Sequence, residues 1–134
     1  MMTNKLAAIG SSVIVLGALL IGLYVLGSPM EERFRRLDEQ RVADLLQLSR
    51  AINRNFRFSD RLPTNLTDIV DGQLIRRLPI DLETEAMYQY EIIDIDSYRL
   101  CAEFSIASEE GNLDDFWAHS MGRECFDFKA QSDR

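Results

Sequence analysis

From Leu6 to Leu26 the chain reads LAAIGSSVIVLGALLIGLYVL, with no charged residue and only Ser11, Ser12 and the Tyr24 hydroxyl as polar side-chain groups. At about 1.5 Å of rise per residue this stretch reaches about 31 Å as a helix, close to the roughly 30 Å hydrocarbon core of a bilayer. A secretory signal would have a shorter apolar region, about 7 to 15 residues, and a small-x-small cleavage site. Here Leu26 stands where a small residue belongs, before Gly27-Ser28-Pro29. The pattern predicts a retained anchor over residues 6–27, preceded by a tip at 1–5 and followed by one domain at 28–134.

Beyond Pro29, which suits the first turn of a helix, the period is helical. Phe34, Leu37, Arg41, Leu45, Leu48, Ile52 and Phe56 recur at steps of three and four, and Val42 and Leu46 widen the stripe. Arg33, Arg35, Arg36, Asp38, Glu39, Asp44, Arg50 and Arg54 fall largely on the remaining, solvated arc. Arg41 interrupts the apolar line, and the commoner fate for such a residue is to snorkel past the domain edge; the other is to meet a carboxylate from elsewhere. Asn55 to Pro63 ends the helix. Thr64 then reads as the N-cap of a short helix over 65–70, with Asp71-Gly72 as its stop.

From Met87 the period changes to two. Tyr88, Tyr90 and Ile92 alternate with Gln89, Glu91 and Ile93; after a turn at 94–97, Tyr98, Leu100, Ala102 and Phe104 alternate with Arg99, Cys101 and Glu103. A third strand holds Cys125, Phe126 and Phe128, and 131–134 reads as a frayed tail. A small sheet with one apolar face needs a partner, and the only long stripe available is the helix. The expected fold is therefore α+β: an N-terminal transmembrane helix continuing into a long amphipathic helix packed on a three-stranded antiparallel sheet.

Charge changes the picture in one respect. All 22 acidic residues and 14 of the 15 basic ones follow the anchor, a net of −8, which argues against nucleic acid and against an anionic bilayer surface as the main partner. Arg33, Arg35, Arg36 and Arg41 crowd the anchor, and the positive-inside rule alone puts that flank in the cytoplasm. The two cysteines, Cys101 and Cys125, pull the other way. In an oxidising compartment they form one bridge closing a loop of about 25 residues, while in the cytosol two buried thiols are as ordinary.

Leu62-Pro63-x-x-Leu66, Leu78-Pro79-x-Asp81-x-Glu83-Thr84 and Tyr88-x-Tyr90, after a span and one long amphipathic helix, resemble the pilin-like proteins, above all the major pseudopilin of type II secretion. Leu100-Cys101-Ala102-x-Phe104 with Trp117-x-His119-x-x-Gly122-Arg123-x-Cys125-Phe126 also resembles the C-terminal domain of certain bacterial membrane proteins. The resemblance implies a bacterial inner-membrane protein with its domain outside the cytoplasm, in contact with other membrane or envelope proteins. One departure stands out. Gly10, the best candidate for a prepilin cleavage glycine, is followed by Ser-Ser-Val-Ile-Val, with Val15 where a pilin carries glutamate, so the prepilin cleavage motif is missing.

Candidate chemistry is sparse. Glu109, Glu110, Asn112, Asp114 and Asp115 offer the hard oxygen ligands calcium takes, with Gly111 for a bend, and major pseudopilins hold calcium in a comparable loop; the spacing matches no EF-hand, and a solvated loop fits the same residues. His119 with the two cysteines could be read as three zinc ligands, but no Cys-x-x-Cys spacing supports it. Phe116 and Trp117 read first as sheet core and second as an interface. No phosphate loop, paired-acid motif or cofactor fingerprint is visible. These residues predict a structural or interaction component rather than an enzyme, with a calcium- or ligand-binding sensory module on the same anchor as the alternative.

Overall fold

The computed structural model describes residues 2–25, 29–70, 72, 75–108 and 115–131, the side chains of 2–8, 25 and 115 excepted. Its elements are two α-helices, α1 (Met2–Val25) and α2 (Pro29–Ser59), a 3-10 turn (Leu66–Ile69), strands β1 (Gln89–Asp94) and β2 (Ser97–Phe104), a second 3-10 turn (Asp115–Trp117) and strand β3 (Gly122–Lys129). The chain divides into two compact units, Met1–Arg33 and Phe34–Arg134.

In the first unit one helix near the N-terminus is long and apolar enough to cross a membrane. Val13, Ile14, Leu16, Leu19, Leu20, Ile21 and Leu23 are all exposed. A helix apolar all round, with no core of its own, has its large side chains suited to lipid.

The second unit is α+β. Its sheet has the order β1-β2-β3, antiparallel throughout. β1 and β2 join through a tight turn, with Asp94 opposite Ser97 after an irregularity beyond Ile92. β2 and β3 pair over eight positions from Ser97↔Lys129 to Phe104↔Gly122. The two-residue period sorts the faces as side-chain alternation requires. Tyr98, Leu100, Ala102, Phe104 and Phe126 are buried with Leu45, Leu48, Ala51, Ile52 and Phe56 of α2 in one core, which Ile69, Ile75, Tyr88 and Ala130 complete. The opposite face carries a charged row, Glu91↔Arg99↔Asp127, in which Arg99 grips Asp127 with two hydrogen bonds of 2.6 and 2.9 Å.

Several expectations are corrected in detail. α2 runs through Asn55 to Ser59, where the Ser59 hydroxyl donates to the Asn55 backbone carbonyl one turn back at 2.8 Å. The short helix is a 3-10 turn capped at Asn65, whose N–H donates to the Asp68 carboxylate at 3.0 Å; Thr64 is not its cap. Asp38 and Asp44, assigned above to the solvated arc of α2, are buried. Gly72, with φ +74, takes the left-handed conformation suited to glycine and bonds back to the Ile75 carbonyl. Residues 26 and 27 of the anchor, residue 28 at the start of the outer domain, Asp71, and 132–134 of the tail lie outside the described residues.

Candidate functional site

The buried face of α2 is polar at one end and apolar at the other: Asp38, Arg41 and Asp44 precede Leu45, Leu48, Ile52 and Phe56 on the same stripe. Arg41 therefore enters the domain instead of snorkelling, and is only 3% exposed. A guanidinium buried this deeply needs every donor met, and five acceptors meet it. Nε donates to Asp81 Oδ2, Nη1 to Asp38 Oδ1 at 2.7 Å and Ser105 Oγ at 2.6 Å, and Nη2 to Asp81 Oδ1 at 3.1 Å and Glu83 Oε2 at 2.7 Å.

The carboxylates are held just as firmly. Asp81 Oδ1 accepts the backbone N–H groups of Glu83 at 2.9 Å and Thr84 at 2.8 Å, the local turn chemistry that aspartate favours. The same side chain thus folds the 81–86 loop and clamps the helix. Asp38 accepts the N–H groups of Ser105 and Ile106, at 2.9 Å each for the shorter bonds, where the chain leaves β2. One arginine and two aspartates join three segments that are distant in sequence.

Burial works to raise the Asp81 pKa, but the Arg41 hydrogen bonds, the Thr84 and Glu83 N–H groups and the Arg41 charge together outweigh it and hold the carboxyl at about 2, against an ordinary 3.8. Arg41 shows the same balance: burial opposes its charge, and the bonds to Asp81, Glu83 and Asp38 raise its pKa. A folded-state pKa below the unfolded value gives stability that is present above the unfolded value and lost as pH falls through the folded one. The Asp81 contribution is therefore expected to disappear between about pH 4 and pH 2. Acid unfolding followed by Trp117 fluorescence checks this, with Asp81→Asn expected to flatten the pH slope in that window.

A second polar group extends the cluster along α2. Asp44 accepts from the Tyr88 hydroxyl at 2.8 Å and from Gln40 Nε2 at 2.8 Å. Burial, then the Asp44 bond and charge, push the Tyr88 phenol up, so Tyr88 is a donor at any ordinary pH. Tyr90 is pushed up to about 12 by burial and by the Asp68 charge, and its hydroxyl donates to the Pro63 carbonyl at 2.9 Å. Tyr88 fastens the lead-in to β1 to α2, and Tyr90 fastens β1 to the loop that follows α2. An open cleft of about 250 Å3 lies alongside, lined by Asp81, Thr84, Tyr88, Gln89, Cys101 and Arg123 among others.

Cys101 and Cys125 form a disulfide, at directly opposed positions of β2 and β3. That removes both from any zinc set with His119. His119 is 9% exposed, and its ring lies on Phe104 with centroids 3.7 Å apart. Its Nδ1 has no hydrogen-bond partner among the described residues, while its backbone exchanges bonds of 3.0 Å with Ser108. This is a core histidine that closes the connection between β2 and β3.

Trp117 packs partly buried against the core, 5.0 Å from the Phe126 ring and 5.9 Å from Phe128. Phe116 touches the same two rings and Trp117, yet stays 48% exposed. Of the calcium candidates, Glu109, Glu110, Asn112 and Asp114 lie outside the described residues, as does the side chain of Asp115. Among the described residues no group of three or more His, Cys, Asp or Glu side chains is placed to hold a metal ion. Arg41 on the apolar line and Asp81-x-Glu83 are the parts of this cluster that the sequence displays; only the fold brings them together.

Chemically the cluster is closed. Its cation and its buried carboxylates are held in mutual bonds and in bonds to backbone N–H groups, which suits holding segments together. No family model matches this chain, and neither a curated protein nor a solved structure does.

Proposed function

We propose that this protein is a single-pass membrane-anchored structural or protein-interaction component, non-catalytic, with a pseudopilin-like domain outside the cytoplasm of a bacterial cell, anchored in the inner membrane. The observation that carries the reading is the closed Arg41 cluster in a domain attached to a helix apolar enough to span a bilayer. The principal buried charges of this domain are committed to holding α2 against the 81–86 loop and the end of β2. A module of this kind presents a fixed surface to partners. The disulfide supports the extracytoplasmic side, since such bonds persist in oxidising compartments.

Native mass in a mild detergent tests the proposal. The full-length chain extracted from its own membrane is expected to run as an assembly larger than one 15.4 kDa chain plus its micelle. A lone monomer whose melting temperature rises on adding calcium would replace this reading by the calcium-sensing module on the same anchor.

A further inference from the structure

The disulfide lies in the second row of the outer sheet face, Gln89↔Cys101↔Cys125. Its two sulfurs are placed differently. Cys101 is 4% exposed in the central strand, whereas Cys125 is half-buried in β3, an edge strand. Arg123 lies over the Cys101 side, with Nη2 3.7 Å from Cys101 Sγ and 2.8 Å from Gln89 Oε1, and Nε 3.1 Å from the same oxygen. These acceptors are neutral. No carboxylate of the described residues forms an ion pair with Arg123, although Glu103 faces it in the register.

We infer that Cys101–Cys125 is a directional thiol–disulfide exchange site, in which an incoming thiolate attacks Cys125 and Cys101 leaves. Displacement at sulfur proceeds along the S–S axis. Approach to Cys101 therefore comes from the β1 side, where the Arg123–Gln89 pair stands over the sulfur beside the cleft. Approach to Cys125 comes from the outer edge of the sheet, along β3. The guanidinium beside Cys101 favours its thiolate, and a thiol of lower pKa leaves faster. Access and leaving-group stability select the same direction.

A thiol loses its proton to solvent; its thiolate forms a bond to Cys125 Sγ as the Sγ–Sγ bond breaks, and the electron pair departs on Cys101. With a dithiol as co-reactant, its second thiolate attacks the reagent sulfur bound to Cys125. Cys125 then leaves as a thiolate, the reagent departs as a disulfide, and two electrons have passed to the protein. The co-reactant is a dithiol of the same compartment.

The test uses the full-length chain in detergent and 2-mercaptoethanol, a neutral monothiol, with acid quenching and mass mapping of the adduct. The expected result is mercaptoethanol on Cys125 in about tenfold excess over Cys101, with Arg123→Gln slowing the opening about threefold and Arg123→Lys slowing it less. Lys129→Gln, two rows further along the same face, should open at the wild-type rate. An adduct chiefly on Cys101 overturns the inference, and so does an Arg123→Gln variant that forms the Cys125 adduct as fast as the wild type or faster, since the guanidinium would then give the leaving Cys101 thiolate no help. The mapping is made on the unsubstituted protein and so does not depend on the folding of any variant.

Discussion

Replacing Arg41 by Met is expected to lower the unfolding free energy of the outer domain by about 3 to 5 kcal/mol, the loss found when one partner of a buried ion pair is removed. Domains of this kind have about 5 to 15 kcal/mol in total, so the variant stands near the limit of folding. The reason is the pair of carboxylates left behind. Asp38 and Asp81 are 4% exposed each and would keep their backbone N–H donors while losing the cation. Urea unfolding of the full-length chain in detergent, read from the single tryptophan, measures the loss. Protonating the orphaned carboxylates relieves them, so the deficit should shrink at about pH 3 relative to pH 7. Arg41→Lys should fall between the two, because an ammonium keeps the charge but cannot supply a five-donor planar fork.

Loss of the disulfide is expected to cost about 3 kcal/mol on the chain-entropy account, given the sequence separation of 24 between the cysteines. The double variant Cys101→Ser, Cys125→Ser should nevertheless fold to the same sheet. β2 and β3 remain paired over eight positions, and the main effect of the bridge is on the unfolded chain. The expected signature is an unchanged far-ultraviolet circular dichroism spectrum with a lower urea midpoint. A collapsed spectrum would mean that the bridge, and not the ladder, holds β3 in register.

Most of the architecture was legible because periodicity reports burial. The step of two from Met87 to Phe104 placed β1 and β2 and identified Tyr98, Leu100, Ala102 and Phe104 as the inner face, since alternate residues of a strand share a face. The apolar stripe of α2 was legible from Leu45 to Phe56 for the same reason. It failed at Asp38 and Asp44, where a pattern of apolar residues carries no signal for charges that are buried because they are paired. The pairing partners, Asp81, Glu83 and Ser105, are 40 to 64 residues from Arg41 in the chain, and no local rule connects them. Asp81 was visible within a resemblance to pilin-like proteins, but its physical task was not: it builds a turn with one set of bonds and grips a helix with another. Similarly, the opposed placement of Cys101 and Cys125 follows from the β2–β3 register, which a single strand's pattern cannot supply.

His119 illustrates the opposite limit. As the only histidine, it invited a zinc reading with the two cysteines, yet its ring is stacked on Phe104 inside the fold. Residue type suggested chemistry where packing explains the position. The cluster around Arg41 contains more charge than any other buried place described here, and its bonds make it a clasp.

The proposed function requires the disulfide-closed domain to lie outside the cytoplasm, and labelling of Cys101 and Cys125 in intact cells with a membrane-impermeant thiol reagent tests that placement. The predicted result is no labelling until a reductant is added, after which half-buried Cys125 becomes reactive while the cells remain intact. Thiols that are free from the start, and reached only once the membrane is broken, would put the domain in the cytoplasm. The arginines flanking the anchor would then have marked the topology correctly, and the extracytoplasmic pseudopilin-like reading would be contradicted.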